Sequence, residues 1–235
     1  MTTILSTQVI KGGQGKTFYA YHLAWFFGNM FPNLRVLLID ADNSENGSAG
    51  RWVNARKEAG LSIPFAFKKT SAIKSILKNA DQFDIIIFDF GGSSHNMADQ
   101  VLVQKAADLV IIPMMVGMAS DAQVIELRET LVKRGVNHKI IVSNIFQTHD
   151  ASETKREFEE LGYSVINTLP RIRGSAARAY KQGKTVPELI SNKRATDLIN
   201  MFFGGKNKKA EIKDNEQSTA EVLAVLKEIK EDLEL

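Results

Sequence analysis

Ile4-Leu5-Ser6-Thr7-Gln8-Val9-Ile10-Lys11-Gly12-Gly13-Gln14-Gly15-Lys16-Thr17 runs from an apolar, β-prone stretch through a glycine-rich turn into a helical pattern. Glycines let a backbone fold tightly enough for consecutive N–H groups to face one point, and the positive end of the following helix adds to that cradle for anions. A lysine and a threonine closing the turn suit a bound nucleotide, the lysine neutralising the β- and γ-phosphates and the hydroxyl meeting Mg2+. The commonest phosphate loop has a glycine five positions before its last loop glycine. Ile10 stands there instead, and the loop opens with Lys11.

Outward from this segment, apolar runs alternate with helical patterns along the chain. The runs are Ile4–Ile10, Val36–Ile39, Ile63–Phe67, Ile85–Phe88, Leu109–Met114, Ile140–Ile145 and Val165–Leu169. Several are apolar at successive positions, as expected of strands covered on both faces. Between them, Thr17–Phe27 places Ala20, Leu23, Ala24 and Phe27 on one helical face, and Asp121–Arg134 carries Val124, Ile125, Leu127 and Leu131 behind an acid that caps it. Such alternation predicts an α/β fold, a mainly parallel sheet with helices on both faces, of the P-loop NTPase kind. The domain is expected over residues 1–203, a polar linker over 204–217, and an amphipathic helix over 218–235 that opens with a capping box, Ser218-Thr219-Ala220-Glu221. Val222, Leu226, Ile229 and Leu233 give that helix a stripe for packing on another helix.

Two strands end in acids. Leu38-Ile39-Asp40-Ala41-Asp42 closes the second, and Ile85-Ile86-Ile87-Phe88-Asp89 closes the fourth. Carboxylates at the carboxyl edge of a parallel sheet lie beside its ligand crevice. An aliphatic run ending in aspartate is the arrangement that holds Mg2+ in phosphoryl-transfer sites, commonly through water.

Composition removes several classes. The 235 residues contain no cysteine, which excludes disulfides, thiolate nucleophiles, iron–sulfur clusters and thiolate zinc sites. The amino terminus has no basic region leading into an apolar stretch, so no signal peptide is expected, and no run approaches the roughly 20 apolar residues of a membrane span. Net charge is +3, but Arg171–Lys209 holds ten basic residues against two acids, a concentration that attracts polyanions by charge alone. The last helix is acidic, which argues against a basic amphipathic membrane anchor. His22, His95, His138 and His149 follow no metal-ligand spacing and are read as structural.

Lys11-Gly-Gly-Gln-Gly-Lys-Thr17 resembles the deviant Walker A loop of the ParA/MinD superfamily, within which the chain resembles the short, plasmid-partition ParA group. The resemblance runs from about Ile4 to Phe203. It implies that ATP and Mg2+ are the cofactors and that residues 11–17 (Lys11, Gly12, Gly13, Gln14, Gly15, Lys16, Thr17) bind the nucleotide. Lys16 acts in cis, and Lys11 reaches the partner's nucleotide in an ATP-sandwiched homodimer. It makes Asp42 the residue that positions the attacking water, and Thr17, Asp40 and Asp89 the Mg2+ group. Asn144, closing the sixth run, and Pro170, after the seventh, are implied to border the adenine. The family's usual Thr or Ser after the Mg2+-binding Thr is replaced by Phe18, and its usual Thr-Pro-Pro after the Walker B acid by Phe90-Gly91-Gly92-Ser93-Ser94. That Gly-Gly-Ser-Ser stretch and Arg51-Trp52 also resemble ParA relatives that serve conjugative DNA transfer.

The implied protein is a slow, partner-stimulated ATPase, cytoplasmic and nucleoid-associated. It would bind duplex DNA nonspecifically through Arg171, Arg173, Arg178, Lys181 and Lys184, and answer to a ParB-like or centromere-binding adaptor. Other branches fit less well: the nitrogenase-reductase type needs cluster cysteines, the MinD type a basic terminal helix, and the tyrosine kinases a tyrosine-rich tail, whereas the last tyrosine here is Tyr180. A small-molecule P-loop kinase is disfavoured because no insertion suggests a lid. A nucleotide-gated scaffold in conjugation or protein-cluster positioning is the alternative to a partition ATPase.

Overall fold

The computed structural model describes residues 1–9, 11–42, 47–91, 97–116, 121–144, 151–168, 170, 174–190, 192–203 and 216–234. Six strands form one parallel sheet: β1 (Thr3–Thr7), β2 (Val36–Asp40), β3 (Ala66–Lys69), β4 (Ile85–Asp89), β5 (Leu109–Val116) and β6 (His138–Asn144), in the order β3-β2-β4-β1-β5-β6. Between and after them come α1 (Lys16–Met30), α2 (Ser48–Glu58), α3 (Ile73–Lys78), α4 (Met97–Ala106), α5 (Asp121–Lys133), α6 (Ala151–Glu160), α7 (Gly174–Lys181), α8 (Asn192–Phe203) and α9 (Gln217–Asp232).

The period of two along each strand sends alternate side chains to opposite faces. Leu5, Leu38, Ile85, Ile87 and Ile111 enter a core with α1, α2, α8 and α9. On the other face Ile4, Leu37, Ile39, Ile86 and Phe88 meet α3 and α4, while Val110, Ile112 and Met114 meet α5 and α6. Central β4 and β5 are buried along their whole length, which explains their unbroken apolar runs.

Helix α1 departs from the expected single face: Tyr19, Tyr21, Trp25, Phe26 and Phe27 are all buried with Ala20, Leu23 and Ala24. A helix apolar all round is a core helix, and this one lies between sheet and outer helices. His22 fits because both ring nitrogens are used, Nδ1 donating to the Phe18 carbonyl at 2.7 Å and Nε2 accepting the Val186 N–H at 2.9 Å.

Three sequence expectations are corrected. The third strand begins at Ala66, not Ile63; Pro64 has no N–H for the ladder, and its carbonyl packs so closely on Gly28 of α1 that a Cβ there would sit 1.9 Å from it. The seventh run is no strand. Only Val165 bridges Ile140, because the next donors, the N–H groups of Asn167 and Thr168, turn to the Glu228 carboxylate on α9 at 2.7 and 2.9 Å. The capping box is absent as well. Helix α9 starts at Gln217 behind Glu216, which makes no cap bond and instead pairs with Arg194 at 2.6 Å, while the Thr219 hydroxyl points to the Val186 carbonyl. The stripe on α9 is deep: Val222, Leu226 and Ile229 join the core that holds α1. Residues 204–215 of the expected linker lie outside the described residues. Among the described residues no helix is long and apolar enough to cross a membrane.

Burial depresses the His22 pKa from 6.5 to about 4, outweighing the Phe18 carbonyl bond and the Glu188 charge that favour the proton. Between those values the unfolded chain binds the proton and the folded chain does not, so this contribution is present above pH 6.5 and is lost as the pH falls towards 4. The loss reaches about 3 kcal/mol at pH 4. Other titrating groups cancel in a comparison of the two proteins, so from pH 7 to pH 4 urea unfolding should show the wild type losing about 3 kcal/mol relative to His22→Gln.

Candidate functional site

Strand β1 ends at Thr7, and the chain turns through the glycine loop into α1. Gly13 and Gly15 have φ of 79° and 91°, left-handed values that glycine adopts without strain. Gly15 is the N-cap of α1, so the helix's positive end faces the loop's hollow. Two side chains brace the loop. Lys16, only 6% exposed, donates from Nζ to the Lys11 carbonyl at 2.9 Å. Gln14 accepts the Met115 N–H at 2.9 Å, capping an edge donor where β5 runs on past the end of β1.

The acidic strand ends are brought together by the sheet order. Strand β4 lies between β1 and β2, in a register that places Asp40, Asp89 and Thr7 in one row at the carboxyl edge. Asp89 is 2% exposed and Asp40 wholly buried. Burial pushes Asp89 up to about 7, and the like charges of Asp40 and Asp42 add to it, against the Thr17 hydroxyl and Lys16. Burial also raises Asp40, although its Oδ2 accepts the Gly50 N–H at 3.0 Å and its Oδ1 the Asp42 N–H at 3.1 Å. Lys16 is lowered by the same burial and supported by Asp89 and Asp42. Hard carboxylate and hydroxyl oxygens crowded beside the Lys16 ammonium suit a further small hard cation such as Mg2+. Among the described residues no group of three His, Asp or Glu side chains forms a metal site by itself.

Asp42, half-buried, closes the site from the β2 side. It rests against Gly91, just past the end of β4, so closely that a Cβ on Gly91 would come within 2.7 Å of the carboxylate. Together residues 12–17, Asp42, Ser48, Gly91 and Met115 line a cleft of about 280 Å³. A larger cavity, about 540 Å³, lies among α7, α8 and the start of α9. It contains none of the loop's residues and is crossed by the Arg194–Glu216 ion pair, so size alone does not locate the chemistry. Met115 and Ser48 carried no sequence signal, because each joins the cleft only through sheet order or the turn into α2.

The other expected site residues are distributed as follows. Lys11 is exposed at the mouth of the loop. Asn144 ends β6 opposite Val116, and the neighbouring Ser143 hydroxyl bonds Tyr19 of α1 at 2.7 Å. Pro170 is buried. Of the basic group, Arg178 and Lys181 are exposed on α7 and Lys184 is half-buried just beyond it; Arg171 and Arg173 lie outside the described residues, as do residues 92–96. Arg194, part of the basic stretch, is spent on Glu216.

A parallel sheet with a glycine loop between its central strand and a helix, and acids at the neighbouring strand ends, defines a P-loop nucleotide-binding protein. The chain belongs to the CobQ/CobB/MinD/ParA nucleotide-binding domain family, whose model matches residues 5–235. No curated protein sequence matches it. Among solved structures it is similar to the septum site-determining protein MinD of Pyrococcus horikoshii complexed with Mg-ADP, at 14% identity and a TM-score of 0.67 over 100% of this chain and 98% of that one. An ATP complex of a Cyanothece McdA variant shares 16% identity with a TM-score of 0.64 over 100% and 97%. A plasmid partition protein from Borrelia burgdorferi shares 16% with a TM-score of 0.55 over 77% and 96%.

Glycine contacts in the site differ sharply. A Cβ on Gly47 would lie 2.3 Å from Asp40 Oδ2, a carboxylate pinned at both oxygens, whereas one on Gly12 meets nothing within 4 Å. Gly47→Ala is expected to destabilise the fold by ~1–3 kcal/mol, and Gly12→Ala to stay within about 0.5 kcal/mol. Thermal melts of the two variants beside the wild type measure the contrast.

Proposed function

We propose that the chain is an ATP-hydrolysing switch that dimerises with ATP and positions DNA cargo through nonspecific duplex binding. The observation carrying this reading is that Lys16, Thr17 and Asp42 line one cleft at the carboxyl edge of the sheet, with Asp89 buried beside Thr17 and Lys16. Residues 11–17 hold the phosphates, with Lys16 as the cis charge and Lys11, at the open mouth, serving the partner protomer's nucleotide. Thr17 and Asp89 hold Mg2+, which when bound neutralises phosphate oxygens. Asp40, whose oxygens grip two backbone N–H groups, organises that site. Asp42, half-buried and in contact with Gly91, orients the attacking water, and Asn144 and Pro170 border the base.

Phosphoryl transfer to water asks chiefly for position and charge, and the cleft's groups match that demand. Arg178, Lys181 and Lys184, with Arg171 and Arg173, form the duplex-binding surface, and a ParB-like or centromere-binding adaptor stimulates turnover. Doubling such a surface by dimerisation multiplies weak phosphate contacts, so nucleotide state controls DNA affinity. On this reading the protein works in the cytoplasm, on the nucleoid.

Lys16→Ala should weaken binding of a labelled ATP analogue roughly 10- to 100-fold, the loss of a charged hydrogen bond. Asp42→Ala should keep ATP and slow hydrolysis by about 100-fold; turnover at the wild-type rate would assign the water to another group. For DNA, polarisation with random duplexes across a salt series should show tighter binding with ATP than with ADP. Reversing Arg178 and Lys181 should lower the salt slope by about one unit per lost contact. Equal affinity in the two nucleotide states would remove the DNA switch.

A further inference from the structure

Helix α2 is fastened at both ends to functional surfaces. Its first turn hangs from Asp40, which accepts the Gly50 N–H at 3.0 Å. Its last turns are bolted to the segment that follows α7. The Arg56 guanidinium, 2% exposed, meets both oxygens of Glu188 at 2.8 Å and also donates to the Gly183 carbonyl at 3.1 Å. Trp52 donates from Nε1 to the Lys184 carbonyl at 2.8 Å, stacks on Tyr21 with ring centres 4.2 Å apart, and meets the edge of Tyr180 at 5.2 Å. Gly183, at φ +63°, lies so close that a Cβ would come within 2.1 Å of the Arg56 backbone nitrogen. At Gly183 the two main chains therefore touch directly, with no side chain of that residue between them.

The chemistry of the joint is costlier than packing requires. Burial would raise Glu188, yet Arg56 and the Thr185 N–H and hydroxyl hold it below its ordinary range. Apolar residues of similar volume often stabilise a core at least as well as a buried ion pair; what a pair adds is directional fixing. Here it fixes the helix that leaves the Asp40–Asp42 turn to the turn that carries Lys184.

We propose that α2 is the rod that carries the state of the nucleotide cleft to the basic surface of Arg178, Lys181 and Lys184, with Arg56 and Trp52 as its positioning residues. This rests on the reading of the cleft as a nucleotide switch. Asp42 and Ser48, the first residue of α2, both line the cleft, so a shift of the cleft's wall acts on the first turn of the helix. The rod is about 16 Å long, and its far end cannot slide without carrying residues 183–188. Linkage makes the effect reciprocal, so a polyanion bound at α7 changes nucleotide affinity by the same factor.

The chain's only other tryptophan is Trp25, so Trp25→Phe leaves Trp52 as a single reporter inside the joint. The full chain is titrated with ADP and with a non-hydrolysable ATP analogue, reading Trp52 emission and, in the unaltered protein, hydrogen exchange over residues 176–189. Both should differ between the two nucleotides. The double variant Arg56→Met, Glu188→Gln leaves no orphaned charge; it should bind the analogue within about threefold of wild type and lose the exchange difference. Trp52→Phe, which keeps a six-membered aromatic ring but loses the indole N–H that bonds Lys184 and part of the stack on Tyr21, should reduce that difference. Identical emission and exchange in the two states would overturn the rod, as would an undiminished difference in the double variant. Neither readout uses DNA. A chain that transmits but binds no duplex keeps the rod and loses the DNA reading; a chain that binds no nucleotide loses both.

Discussion

Burying Asp40 and Asp89 side by side at the end of a parallel sheet is the constraint on which the site depends. Each carboxylate is removed from water and placed near the other, so burial and like charge both work against ionisation. The surrounding structure answers with fixed donors: the Thr7 and Thr17 hydroxyls and the Lys16 ammonium for Asp89, and the N–H groups of Gly50 and Asp42 for Asp40. Those answers require β1, β4 and β2 to be neighbours in register, the loop to pass directly over the row, and α2 to start where it does. Remaining negative charge is what gives a cation its place there.

What could be read from the chain follows from how local each cause is. The loop, its flanking strand and helix, and the acidic ends of β2 and β4 are contiguous patterns, and their meeting needs only parallel topology. The start of β3 was missed because Pro64 acts at the edge of an otherwise β-like run, and its carbonyl is committed to Gly28, 36 positions away in sequence. The loss of the seventh strand was equally hidden. Val165–Leu169 has the composition of a strand, but the donors that would extend its pairing turn to Glu228, about sixty positions on. No local reading of Ser218–Glu221 reveals that Glu216 is drawn to Arg194 and so precedes the helix without capping it. The Arg56–Glu188 pair, 132 positions apart, left no periodic trace.

The acidity of α9 has a structural meaning in the same terms. Its apolar side enters the core around α1, while Glu228 gathers the N–H groups of Asn167 and Thr168 and Asp232 meets Lys139 at 3.0 Å. The acids therefore hold the edge of β6 and the chain beyond Val165, where a ladder partner would otherwise stand. A basic face would have repelled Lys139 and left those backbone donors without a carboxylate. The helix's charge thus suits sheet-edge closure, and its apolar stripe is already occupied within the fold.

Phe18, one of the departures from the family's usual residues, is tied into the packing around α2. Phe18 stands where a small hydroxyl residue is common, and its ring lies 4.1 Å from His22 and 6.3 Å from Trp52. His22 in turn takes the Val186 N–H, and Trp52 donates to the Lys184 carbonyl. A hydroxyl beside Thr17 would serve the ligand alone; an aromatic ring there bears on the first turn of α1, the middle of α2 and, through His22 and Trp52, the segment after α7. Residues that look unrelated in the chain form one packed path beginning at the floor of the cleft. In this path the Phe18 ring packs on the side chains of the joint, whereas Lys16 and Thr17 at the loop's end face Asp89.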